Sequence, residues 1–296
     1  MPFPPIGSTV GCDDAVVQDR GYRIDRATQA WVRATGRRID FDEEPWLLGP
    51  IGGPRLIADE WLQGEAARLG GRQVEGGGLL GRVSDLAGAG FDPSIIAEPI
   101  VDFYEHTDAW RLEVWSQWCP AAWPFGWLLS SAFARRLQQL ALPLRPLDAA
   151  QGMDSRVVTV RDVNGVQLGA AWLRTLRSTG QTVYSGWYGT AVLPGATRPS
   201  VRVMFPLPNG SVTVFLRPDV RPDGALTLTS PISGFGEDGA YLIVARPDGR
   251  SGWARRVPLA ERFLVWLDGE GVLRTDHALD LWQVPAIRLH YRLERR

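Results

Sequence analysis

From Met153 to the end of the chain, short alternating runs are punctuated by Asn164-Gly165, Asn209-Gly210, Asp223-Gly224, Asp248-Gly249 and Gly269-Glu270-Gly271. Asn-Gly and Asp-Gly accept the positive φ that two-residue hairpin turns require, so each pair marks a reversal between neighbouring strands. No helical crossover pattern lies between them, which removes a parallel sheet. About nine antiparallel strands in sequence order follow. The economical topology is a meander closed or half-closed into a barrel, lipocalin-like in shape.

The first half reads differently. Residues 1–50 show little periodicity beyond a short helix or strand near Ala27–Ala34. Pro54 to Leu69 reads as a helix stopped by Gly70-Gly71, and Asp92-Pro93 opens another that Pro99 kinks or restarts and that runs to about His106. Arg111 to Trp118 looks extended, and Gly126 to Leu142 helical, ended by Pro143 and Pro146. The expected class is α+β: a mainly helical and irregular, Trp-rich subdomain over residues 1–150, packed on a β-subdomain over 151–296. Residues 1–150 carry 20 acids and 14 arginines, net −6, while 151–296 carry 13 acids and 18 arginines, net +5. Opposite signs favour two docked subdomains over two beads on a linker.

Composition removes several chemistries. All 32 basic residues are arginine, so a lysine Schiff base, a P-loop lysine and a kinase-type lysine are excluded. The formal charge of −1 argues against a nucleic-acid partner. Cys12 and Cys119 stand far apart, leaving no disulfide framework and no CxxC site. Gly234-Phe235-Gly236-Glu237-Asp238-Gly239 matches a dinucleotide fingerprint in letters, yet a strand follows it and its acids would repel a pyrophosphate. No cofactor is implied. The N-terminus has neither a basic nor an apolar leader region, so a cytoplasmic location is expected. Val114 to Ala134 is a stretch of 21 uncharged residues with Pro120 and Pro124 at its middle. It reads as a buried core segment, or secondarily as an interfacial patch giving peripheral membrane contact, because prolines there would break a spanning helix.

Turn positions fix which residues share a face. With reversal at Asn209-Gly210, Arg202 falls opposite Arg217 and Met204 opposite Phe215. That face reads as a solvated pair of arginines, or as an amphipathic pocket with an anion-binding end. Trp110, Trp115, Trp118, Trp123 and Trp127, with Trp172 and Trp187, can line a pocket for a flat or isoprenoid-like ligand, or simply fill a core. In the last hairpin, with a loop at Gln283-Val284-Pro285, His277 joins an apolar row that includes Tyr291, while His290 points the other way. The three histidines therefore do not form a shared metal site, and none is predicted. His277 and Tyr291, with Glu105 and His106 (Asp102 one turn before it), are the candidates for acid/base chemistry.

Phe103-Tyr104-Glu105-His106-Thr107, Trp115-Ser116-Gln117-Trp118, Gly152-Met153-Asp154-Ser155 and Arg274-Thr275-Asp276-His277 together resemble an uncharacterised actinobacterial protein family. The first of these elements is similar to the C-terminal part of YndJ-like proteins. The resemblance covers about residues 95–296 and implies no transferable activity. YndJ-like proteins are membrane-associated, but this chain lacks their multiple spans. The leading expectation is a binder of a hydrophobic or amphipathic, acidic small molecule, with Arg202, Met204, Phe215, Arg217, Trp115, Trp118, Trp172 and Trp187 as its contacts. The alternatives are a cofactor-independent isomerase or cyclase, and a non-catalytic membrane-surface or accessory protein.

Overall fold

The computed structural model describes residues 23–53, 59–119, 153–177 and 182–296. Among these are three α-helices: α1 (Arg23–Thr35), α2 (Trp61–Arg68) and α3 (Glu98–Glu105). The first half also supplies strands β1 (Arg37–Asp40), β2 (Arg72–Glu75) and β3 (Trp110–Trp118). Then follow β4 (Met153–Arg161), β5 (Gln167–Leu176), β6 (Thr182–Ala191), β7 (Ser200–Leu207), β8 (Gly210–Val220) and β9 (Leu226–Ser230). The remainder are β10 (Gly239–Ala245), β11 (Ser251–Val257), β12 (Leu259–Leu267), β13 (Leu273–Leu281) and β14 (Val284–Arg295). All named strand pairs are antiparallel.

The sheet forks at β8. Residues 210–215 pair with β10, and residues 217–220 pair with β9. Pro218 lies beyond the last pair with β7, Val201 opposite Leu216, so its missing N–H falls where the strand has one neighbour. One branch runs β2-β4-β5-β6-β7-β8-β10-β11-β1, the other β8-β9-β12-β13-β14-β3. Their inner faces enclose the largest apolar core, with Trp172, Val203, Phe205 and Leu216 from the first branch. Leu226, Val265, Leu273 and Leu293 come from the second, and Leu86, Ile100 and Phe103 from the segment around α3. The outer face of the first branch is buried too, under Trp61 and Leu62 of α2 and under Trp46 and Leu47.

Two expectations are overturned. The sheet does not close into a barrel, and among the described residues the N-terminal half is not mainly helical. Both errors share a cause. The first half contributes three edge strands: β2 covers the free edge of β4, β3 covers that of β14, and β1 covers that of β11. Edges that would meet in a closed barrel are thereby capped separately. The helix expected from Asp92 restarts at Pro99 as anticipated: a 3₁₀ turn at Pro93–Ile95 and α3 are separated by the extended Ile96 and Ala97, because Pro99 has no N–H to offer the Ile95 carbonyl and its ring would clash there. The helix expected over Gly126–Leu142 lies outside the described residues.

Register also moves. Leu207 pairs with Gly210, so the turn holds Pro208 and Asn209, and Asn209 takes the positive φ of 58°. Gly210 serves another need, since a Cβ there would lie 2.0 Å from the Ile243 carbonyl oxygen of β10. The shift preserves faces and changes partners: Arg202 pairs with Phe215, Met204 with Thr213, and Arg217 with Thr229. The last hairpin reverses at Trp282-Gln283, both left-handed at φ 47° and 68°. A bulge after Leu279 restores the expected facing, with Thr275 opposite Tyr291 and His277 opposite Leu289. Gln283→Gly is expected to stabilise by about 0.5–1 kcal/mol, because only glycine takes that φ without a Cβ penalty. The urea midpoint should rise at constant m; an unchanged or lower midpoint would contradict the left-handed turn.

Candidate functional site

The inner face of β5 reads Ala170, Trp172, Arg174, and its third member is anomalous. Arg174 is 5 % exposed, and its Nε and Nη2 have no hydrogen-bond partner. No carboxylate among the described residues forms an ion pair with it. Its guanidinium lies over the Trp172 ring at 5.2 Å and over the Tyr291 ring at 5.5 Å. Cross-strand pairing places it between Ser155 of β4 and Tyr184 of β6. Trp172 donates its Nε1–H to Ser155 Oγ at 2.7 Å and meets Tyr184 and Tyr188 edge-on at 5.5 and 5.8 Å. The Tyr184 and Tyr188 hydroxyls are hydrogen-bonded to each other.

This environment keeps every phenol neutral. Burial raises Tyr184 well above its ordinary value, with Tyr188 adding to the shift. Burial likewise raises Tyr188, Tyr104 and Tyr291, and for Tyr188 and Tyr291 the nearby Arg174 charge works in the opposite direction. A guanidinium thus stands among neutral aromatic groups, bonded to Tyr291 and with its Nε and Nη2 unpaired. Such a fork fits a carboxylate or another planar oxyanion, and a water-poor setting strengthens the interaction.

The facing branch adds a second polar pair. His277 Nε2 and Glu261 Oε2 are 2.9 Å apart, with side chains only 12 % and 10 % exposed. The imidazole stacks on Phe263 at 3.7 Å and 16°. Glu261 raises the Tyr291 pKa by its charge, which ties this pair electrostatically to the Arg174 group. Ser230 is fully buried and its Oγ is unpartnered. Ser230 pairs across the sheet with Glu261 on β12, while His277 lies on β13, one strand further. Ser230 Oγ makes no hydrogen bond to His277, whose Nε2 is taken up by Glu261, so the three side chains are not linked as a Ser-His-acid triad.

The sequence candidates divide. His277 and Tyr291 share the inner face with Trp172. Glu105 instead accepts the Val83 N–H at 2.7 Å and holds a turn. His106 Nδ1 is 3.1 Å from Asp102, which also accepts from Trp110 Nε1 and pairs with Arg295. His277 lies opposite Leu289, six residues from Arg295 along β14, or about 20 Å, so the His106 pair belongs to another place. Arg202, Met204, Phe215 and Trp187 gather on the outer face of the first branch, not with Trp172. Arg217 is exposed and separate from Arg202, which removes the two-arginine pocket. Trp115 is 47 % exposed on the outside of β3, opposite His290. Trp118 is described only in its backbone pairing with Ile287, and Trp123 and Trp127 lie outside the described residues. Cross-strand alternation was the available signal for the missed residues: Arg174 is the single charge in the row Ala170, Trp172, Arg174.

Among the described residues, no group of three or more His, Cys, Asp or Glu side chains converges as metal ligands, and no helix is long and apolar enough to cross a membrane. Comparison with protein-family models, curated proteins and solved structures finds no match for this chain.

Proposed function

We propose that the protein binds an amphipathic acid between the two branches of its sheet, with the acid group on Arg174 and the apolar body against Trp172, Tyr184, Tyr188 and Tyr291. The observation that carries this reading is the buried guanidinium with Nε and Nη2 unpaired. A buried cation without a carboxylate partner is costly, and an anionic ligand supplies the missing partner. The surrounding rings give the ligand body apolar contact while their hydroxyls remain neutral donors and acceptors. His277 and Glu261 support a second reading, acid/base chemistry on the bound molecule, because a carboxylate on one ring nitrogen orients an imidazole as a base.

Native mass spectrometry of freshly purified protein, followed by organic extraction, tests the binding reading. The expected result is a reproducible adduct that extracts as an acid, replaceable by added dodecanoate. A clean protein mass together with no saturable dodecanoate binding would refute it.

A further inference from the structure

A second unpaired set of donors lies on the opposite face of the first branch. Trp187 is fully buried, its ring fixed edge-on to Trp61 at 6.2 Å and pressed on Gly169, where a Cβ would lie 2.1 Å from Cζ2. Its Nε1 nonetheless has no partner. Two residues along β6, Gly189 is also buried, yet among the described residues a Cβ built there meets only Trp187 Nε1 at 3.9 Å and the Leu168 carbonyl oxygen at 4.0 Å. Among the described residues, room for a side-chain carbon on this buried glycine therefore borders a free indole N–H.

Directly across from Gly189 on β7 is Arg202. Paired residues start their side chains about 5 Å apart, so the Arg202 stem begins beside this space. Its Nη1 donates to the carbonyls of Trp46 and Leu48 at 3.4 and 3.2 Å, while its buried Nε has no partner. The acid that reaches Arg202 electrostatically is Glu65, already held by Arg68 through bonds of 2.6 and 2.8 Å. Arg202, Glu65 and Arg68 together carry one positive charge in excess. Burial pulls the Arg202 pKa down to about 10, the direction expected of a cation lacking a full counter-charge.

We infer that this space is a binding site for a small monovalent inorganic anion, of which chloride is the test case, held by Trp187 Nε1–H and Arg202 Nε–H. The site is independent of the Arg174 group, which faces the other side of the sheet. Gly189→Ala fills it, because among the described residues the new methyl makes ordinary contacts at 3.9 and 4.0 Å.

The experiment is a chloride titration of the melting temperature at constant ionic strength, balanced with gluconate, together with a bromide soak of crystals read by anomalous scattering. Wild type is expected to gain about 2 °C or more per tenfold chloride once the site begins to fill. Gly189→Ala should lose that dependence, and bromide should give a peak beside Trp187 Nε1. Should Gly189→Ala fail to fold, Trp187→Phe removes the donor while keeping an aromatic ring and is expected to show the same loss. No bromide peak, a space holding water alone, or equal chloride dependence in wild type and variant would overturn the assignment.

Discussion

Arg174→Met is expected to weaken dodecanoate binding by at least about 100-fold, since a bidentate charge-assisted pair is worth roughly 3 kcal/mol. Dodecanol binding should change little, because methionine keeps apolar bulk beside the Trp172 and Tyr291 rings over which the guanidinium lies. Arg217→Ala is the control: this arginine is exposed and paired across from Thr229, and its loss should leave both ligands unaffected. Equal losses for acid and alcohol in Arg174→Met would show that the guanidinium fills space and does not recognise an anion.

The stability of the same variant separates a ligand site from a structural one. Removing a buried charge that lacks a carboxylate partner is expected to leave ligand-free stability unchanged or higher. Arg202→Met offers the contrast, since it strips the donor from the Trp46 and Leu48 carbonyls and leaves them buried. A drop for Arg174→Met as large as that for Arg202→Met would place Arg174 among the structural residues.

Local pairing was legible in the sequence and closure was not. Parity of the last hairpin put His277 and Tyr291 on one face and His290 on the other, and it survived a misplaced turn because the bulge after Leu279 compensates. The Asn209-Gly210 turn shows the limit. The Asn-Gly pattern makes glycine the turn residue, whereas Gly210 answers the approach of β10, a strand that begins at Gly239. One residue of error in the turn moved every cross-strand partner by two and manufactured the Arg202–Arg217 pair. Nor could short strands such as Arg37–Asp40 and Arg72–Glu75 be recognised alone, because four residues with one or no buried side chain carry no period. Arg174 was missed for a related reason. Its interest lies in what does not reach it, and the absence of a carboxylate partner is a property of both branches of the sheet.

The glycine-spaced loop before β10 illustrates how the same letters serve opposite chemistry, and it carries the largest expected stability effect. A phosphate-binding loop turns N–H groups inward, but here inward-facing oxygens surround a guanidinium. Arg256 Nη1 donates to the carbonyls of Glu237 and Asp238 and to Tyr241 Oη, each at 2.9 Å. Its Nη2 donates to the Pro231 and Asp238 carbonyls at 2.9 Å and to Ser233 Oγ at 2.7 Å. Gly239, at φ 142°, is where this packing forbids a side chain, for a Cβ would lie 2.2 Å from Arg256 Nη2. A lysine ammonium is a point donor with three bonds and cannot span two sets of acceptors that a planar fork reaches together. Arg256→Lys is therefore expected to cost about 3 kcal/mol, or roughly 6–12 °C in melting temperature, by leaving several loop oxygens unpaired. Hydrogen exchange should accelerate selectively over residues 231–239. A variant within about 0.5 kcal/mol of wild type, the ordinary scatter for surface substitutions, would mean that the loop holds its shape without the arginine at its centre.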